Sequence, residues 1–465
     1  MGFWSDFVRL LRVGRKSPLV PLVFLFAITQ IAFEHSGGTN ERSRMAAIFA
    51  FFERGSFRLD PDYEKFTGDW AQTPDGVYTS NKAPGPTILA LPILYPFDTL
   101  LTFNTKSASD RVRLREKAGL PFAKIVSILL QVIPWALISL VLLGICIENN
   151  ISLFPTLSLL VCFLFGTTTT LLLNAYWGHG VSAVFLLLFV LAIFWKEFAW
   201  AGFFFGWSLL SDYGIGLVLP GALIAVLALA TSSKNIISFV KGGIIPGLIW
   251  IAYHTTYYGS PFTIPNKFQN PMFVDLADKP DAVWGIIYLV PELGRLKELL
   301  WGDSRGLLIT QPWVLAVLVY LVISLFNKHL KEVKPVIAAT IVGFLGIFAM
   351  NASFGGWHGG SAPGPRYLSP FLPIFALWVP FVLENSKSLT MNFFKLIFTY
   401  NFALHACIMS AAALLGGLAI WPTILHYFTH PNLSQKALIR LSVFILFSVI
   451  SYISIRRQLN RRPVI

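Results

Sequence analysis

The sequence predicts an all-α protein, a polytopic transmembrane helical bundle of about 12 spans whose external loops carry short amphipathic helices. Three observations predict it. Hydrophobic residues make up 55% of the 465 and charged ones 13%, with a mean hydropathy of +0.66, which is more apolar surface than a soluble domain can bury. Apolar runs near the ~20 residues that cross a hydrocarbon core recur along the whole chain, so 1–465 reads as one membrane domain. The basic residues behind the net charge of +13 cluster at the edges of these runs. That placement sets orientation in a membrane and argues against a nucleic-acid partner.

The runs fall at 18–34, 83–101, 121–147, 152–173, 179–195, 236–253, 307–326, 335–350, 367–383, 393–419 and 437–455. The first follows Arg9, Arg12, Arg15 and Lys16 and lacks a small-residue cleavage site, so it reads as a retained span. The stretch 198–231 is too long for one straight crossing and is interrupted by Ser211, Asp212, Tyr213 and Gly214, so it is either a broken helix or a tight hairpin. Asp212 reads there as a helix-break cap, and His179 as part of a short cytoplasmic turn. Basic clusters at 9–16, 106–124, Lys234 with Lys241, 328–334 and 456–462 all face the cytoplasm if 198–231 crosses once, which puts both termini inside. The same assignment places 35–82, 254–306, 351–366 and 420–436 outside, on the face expected to carry the chemistry. Cys146, Cys162 and Cys407 lie in apolar runs without a CxxC pair and read as small buried hydrophobes.

In the first external loop, 39–55 has helical periodicity. Met45, Ile48, Phe49 and Phe52 form one stripe, Thr39 or Asn40 suits the start, and Gly55 suits the end. This helix is expected to lie flat in the interface with the stripe toward lipid and Glu41, Arg42 and Arg44 opposite. Five acids follow, Asp60, Asp62, Glu64, Asp69 and Asp75, before Lys82, which Pro84, Gly85 and Pro86 hold near headgroup depth. A fixed cation there suits a lipid phosphate, and equally an anchor that snorkels to the interface. In 351–370, glycines and prolines surround Trp357, His358, Arg366 and Tyr367, a backbone that lines a cavity rather than facing lipid. Arg366 suits bidentate contact with a phosphate or a carboxylate partner, Trp357 a stacked sugar or an interfacial anchor, and His358 a base or ligand. The 254–306 loop, with His254, Lys267, Arg295 and Arg305, suits an acceptor side or a lid.

The order Asn40, Glu41, an amphipathic helix ending in Glu53, Arg54 and Gly55, then Tyr78, Lys82 and Pro84 before an apolar span resembles the first external loop of the GT-C superfamily. Protein O-mannosyltransferases and lipid A aminoarabinose transferases carry there an Asp-Glu pair after the first span and a Lys-Pro pair before the second. NERSRMAAIFAFFERGSF, YTSNKAPG, YGSPF (258–262), RGLLITQP (305–312) and GPRYLSP (364–370) are similar to stretches of bacterial membrane proteins that are classed as glycosyltransferases by sequence alone. The resemblance implies a polyprenyl-phosphate sugar donor, an envelope acceptor, an external active site in a bacterial cell membrane, and an acid of the first loop acting as base. The first acid of the pair is replaced by Asn40, whose amide does not take up a proton, so Glu41 or Asp69 is expected in that role. Glu41 also reads as a helix-start carboxylate. Lys82 and Arg366 are the expected phosphate ligands, with Arg44, Trp357, His358 and Tyr367 around the substrate. No cofactor is expected, and a divalent metal is left open. The alternative class is a transporter or flippase for a lipid-linked or small polar substrate, which would place ionisable groups near mid-bilayer and often shows repeats; no repeat is seen.

Overall fold

The computed structural model describes residues 2–32, 38–273, 287–360, 362, 364–385, 388–411, 424–425, 428–429 and 434–460. Residues 274–286 and 461–462 and most of 420–436 lie outside the described residues. Helices α1 (Phe3–Gly14), α2 (Val20–Ala32) and α3 (Thr39–Arg54) lead to a hairpin of β1 (Trp70–Gln72) and β2 (Tyr78–Ser80), paired antiparallel with Ala71 opposite Thr79. There follow α4 (Gly85–Thr102), α5 (Ala108–Ser127), a short π-helical stretch (Ile128–Val132), α6 (Ile133–Glu148), α7 (Leu153–Phe165), α8 (Thr168–Leu172), α9 (Gly178–Phe194) and α10 (Phe198–Ser211). The rest comprises α11 (Leu219–Leu229), α12 (Ser233–Gly242), α13 (Ile244–Tyr258), α14 (Leu293–Trp301), α15 (Leu307–Thr310), α16 (Pro312–Phe326), α17 (Lys334–Ser353), α18 (Leu372–Glu384), α19 (Ser388–Ala411) and α20 (Ser434–Asn460). Prolines in the first turn start α6, α11, α16, α17 and α18, where the missing N–H has no intrahelical partner to lose.

Among the described residues the architecture is all-α apart from that hairpin. Ala108–Glu148, Leu153–Leu172 and Lys334–Ser353 are long and apolar enough to cross a membrane, and Ser233–Gly242 with Ile244–Tyr258, bent by 42°, form a fourth such unit when taken together. Shorter apolar helices include α2, α9, α10, α16 and α18. Close backbone contact joins several of them. A Cβ on Gly144 of α6 would fall 2.2 Å from the Leu10 carbonyl oxygen of α1, so only glycine admits that crossing. Between α6 and α7, Trp135 stacks on Phe163 at 4.6 Å.

Three expectations are corrected. First, α3 does not turn its apolar stripe to lipid: Met45, Ile48 and Phe49 are fully buried, in a core with Tyr63, Leu94, Phe122 and Tyr176. The hydrophobic stripe is real, but α4 and α5 cover it instead of acyl chains.

Second, 106–124 is not a cytoplasmic loop opposite the first external loop. Arg111 and Arg115 both bind Glu53 at the end of α3, and Arg115 also forms a two-pronged pair with Asp98 of α4 at 2.8 and 2.7 Å. Lys124 donates to the Gln30 carbonyl at 2.7 Å, at the α2 end from which the first loop departs. Clusters in direct contact cannot lie on opposite faces of a membrane. The continuous helix Ala108–Glu148 has 41 residues, about 60 Å at 1.5 Å each, twice a hydrocarbon core. Its first half projects beyond the level of Gln30, and α4 pairs with that half rather than standing as the span expected at 83–101.

Third, the chain reverses at Asp212, so of the two arrangements open for 198–231 the hairpin is the one found, and the single net crossing used to orient the chain does not hold. α10 runs antiparallel to α9, with Ser182 and Ser208 hydroxyls bonded at 2.8 Å. α11 runs away again, antiparallel to α17, where Gly221 meets Ala339 and Gly346 meets Leu217. His179 consequently lies beside this reversal, bonded to Asp212.

Candidate functional site

The first loop, the start of α9, the reversal at Asp212 and the loop before α18 meet at one end of the bundle. Ser43 of α3 donates to the Asp69 carbonyl at 2.5 Å and bonds the Ser80 hydroxyl at 2.6 Å, which pins the β-hairpin to the helix. That pinning brings the Lys82 ammonium to 3.1 Å from the Asp69 carboxylate. Burial alone would raise the Asp69 pKa, but Lys82, a Thr39 hydrogen bond and the nearby Arg366 outweigh it and hold the carboxyl below its ordinary value. Burial lowers the Lys82 pKa, aided by Arg366 and Arg44 and opposed by Asp69. Lys82 is therefore an ion-paired group inside the protein and not a snorkelling anchor.

Arg44 is buried one turn along from Asn40. It donates to the Ala83 carbonyl at 2.9 Å and lies over the Tyr176 ring at 5.9 Å. Arg366 lies over both Trp177 and Tyr367 at 4.9 Å and donates to the Tyr367 hydroxyl at 3.0 Å. Among the described residues, no carboxylate stands within ion-pair distance of Arg44 or Arg366. Arg305 holds the Gly360 and Ala362 carbonyls and so fixes the loop that carries Arg366; burial, with Arg366 close by, lowers its pKa to about 10. Arg44 is buried and Arg366 half-buried, and a guanidinium drawn out of water without an ion-pair partner is costly unless an anion completes it.

The other expected residues take different places. Glu41 accepts the Gly38 N–H at 2.9 Å and caps α3. Trp357 is half-buried against the main core and His358 is exposed, its Nδ1 accepting from the Gly360 N–H at 3.1 Å. The aromatic rings on Arg366 are Trp177 and Tyr367. Sequence reasoning missed Trp177 and Tyr176 and gave no site role to His179 or Asp212, which are joined Nδ1 to Oδ2 at 2.5 Å. The available signal was Trp177-Gly178-His179-Gly180 set between apolar runs, and a lone aspartate within one. Among the described residues, no group of three or more His, Cys, Asp or Glu side chains is placed to hold a metal ion.

Within the bundle is an apolar cavity of about 510 Å³, lined by residues including Leu142, Leu186, Phe189, Val218, Phe371 and Trp378. Arg9, Glu148, Trp195 and Glu384 also line it, toward the ends of α6, α9 and α18 away from the polar cluster, and none of Arg44, Lys82, His179 or Arg366 does. No family model matches the chain, and no curated protein matches it significantly.

Proposed function

We propose that this protein is an integral membrane glycosyltransferase that moves a hexose or pentose from a polyprenyl-phosphate-linked donor to an envelope acceptor, a lipid, glycan or protein. One observation carries the reading: Arg44, Lys82 and Arg366 come from separate segments to one place, and among the described residues two of them have no carboxylate ion-pair partner. Such a set stabilises the negative charge that develops on a departing phosphate. In this reading Lys82 and Arg366 hold the phosphate and Arg44 shapes the site beside it, while Tyr367 orients Arg366.

The reading places both termini in the cytoplasm and the polar cluster outside. It keeps about 12 crossings, because 83–101 no longer counts as a span and 198–231 counts as two. The test is transfer by the purified protein in nanodiscs, using a radiolabelled polyprenyl-phosphate hexose or pentose and an envelope extract as acceptor. Wild type is expected to transfer label, and Lys82→Ala or Arg366→Ala to lose about 100-fold or more of the rate. Normal turnover in both variants would reduce these cations to structural groups. Lipid translocation without transfer would return the transporter reading.

A further inference from the structure

The polar cluster contains a pair that the phosphate reading leaves unused. His179, at the start of α9, and Asp212, at the chain reversal, are 33 residues apart in sequence and 2.5 Å apart between Nδ1 and Oδ2. The second Asp212 oxygen accepts the Gly214 N–H at 3.0 Å, so the carboxylate is fixed from both sides. A carboxylate only accepts, which places the imidazole proton on Nδ1 and leaves a lone pair on Nε2. Nε2 makes no hydrogen bond to a described residue. The ring stands edge-on to Tyr367, at 5.5 Å and 88°, and Tyr367 is the residue that Arg366 binds. Arg44 is also close by, its guanidinium against Gly178.

The acids of the first loop are poorly suited to take a proton. Asp69 is engaged by Lys82 and Thr39, which hold its carboxyl below the ordinary range, and Glu41 gives one oxygen to the cap of α3. A base oriented by a third group through its far nitrogen is the arrangement that general-base chemistry uses. Resting on the glycosyltransferase reading, we infer that His179 is the general base of the transfer and Asp212 its positioning residue, and that the acceptor is a hydroxyl compound. The acceptor oxygen forms its bond to the anomeric carbon as the bond from that carbon to the phosphate oxygen breaks. The phosphate leaves with the electron pair, held by Lys82 and Arg366. The hydroxyl proton passes to His179 Nε2, where Asp212 offsets the imidazolium charge, and then to the released phosphate or to water.

The test uses the full-length protein in nanodiscs with a polyprenyl-phosphate sugar, and measures polyprenyl phosphate binding separately. His179→Ala and His179→Gln are expected to lose about 100-fold or more of the rate while binding polyprenyl phosphate within about threefold of wild type, since the base acts on the acceptor and not on the phosphate. Added imidazole is expected to restore His179→Ala by about tenfold and to leave Lys82→Ala unchanged, a response that a merely structural histidine would not give. Near-wild-type turnover in His179→Gln, or a folded, donor-binding His179→Ala that imidazole fails to restore, overturns the assignment. Wild type that transfers no sugar removes the glycosyltransferase reading and this role together, an outcome distinct from an active wild type with active His179 variants.

Discussion

Lys82 sits where its own charge is disfavoured, and Asp69 where its charge is favoured mainly because Lys82 is there. The two groups respond to pH in a defined sense. Asp69 has a folded pKa below its ordinary value, so its contribution to stability is present above the ordinary carboxylate range and is lost as pH falls through the folded value. Lys82, also lowered, opposes folding while it is charged, so at neutral pH only its pairing with Asp69 offsets the burial. Asp69→Asn alone is therefore expected to lower stability by up to about 3 kcal/mol, less than a fully buried broken pair because Lys82 keeps some exposure. The double variant Lys82→Met, Asp69→Asn is expected to unfold no earlier than wild type and to be inactive, since a buried pair replaced by apolar or neutral groups is often no loss. Thermal unfolding beside a transfer assay checks both; a double variant that is much less stable would show that the pair is kept for the fold. Lys82 and Arg366 were legible in sequence because each sits at a proline-marked entry to an apolar run. His179 with Asp212 was not legible, because neither has a polar neighbour in sequence that announces the other.

At the scale of elements, α3, α4 and the first half of α5 are held together by Glu53, Asp98, Arg111 and Arg115 over an apolar core. The Arg111 hydrogen bond, with Arg115 and against burial, holds the Glu53 carboxyl at about 2. A depressed folded pKa means that this stabilisation is complete above the ordinary carboxylate value of 4.5 and is lost as pH falls from there toward about 2. Glu53→Gln is expected to lower the melting temperature at pH 7 and to flatten its dependence on pH between those values; an unchanged acid profile would mean that other carboxylates control it. The amphipathic pattern of α3 was legible, but the sequence does not say whether lipid or protein covers an apolar stripe, because both offer the same apolar contact. The glycine at α6 makes a sharper case. Gly144→Leu is expected to abolish folded, monodisperse protein, because the Leu10 backbone occupies the space a side chain needs, and normal expression and folding of that variant would show that α1 moves freely on α6.

At the scale of the whole molecule, the contacts between Lys124 and Gln30, and between Arg111, Arg115 and Glu53, tie the cluster at 106–124 to the first loop. Single cysteines at Arg113 and Gln72, both exposed, are expected to react with an impermeant thiol reagent from the same side of sealed vesicles. A cysteine at Lys331, also exposed, is expected to react from the opposite side; labelling of 113 with 331 instead of 72 would restore 83–101 as a crossing span. By itself the sequence determined the class: long apolar runs with few charges yield helices, because in hydrocarbon a backbone must satisfy its own hydrogen bonds, and that requirement is local. It also determined that Lys82 and Arg366 lie at the ends of such runs. Only the tertiary structure decided which runs turn back, which charges neutralise one another, and which side chains face one site. The basic cluster at 106–124 looked like a cytoplasmic anchor because charge counting along a chain does not register that carboxylates distant in sequence, Glu53 and Asp98, stand beside it in space. The pairing of His179 with Asp212 likewise depends on the packing of α9 against α10, where a Cβ on Gly178 would fall 2.2 Å from the Ser211 carbonyl oxygen; that closeness is a property of two helices together and of neither sequence alone.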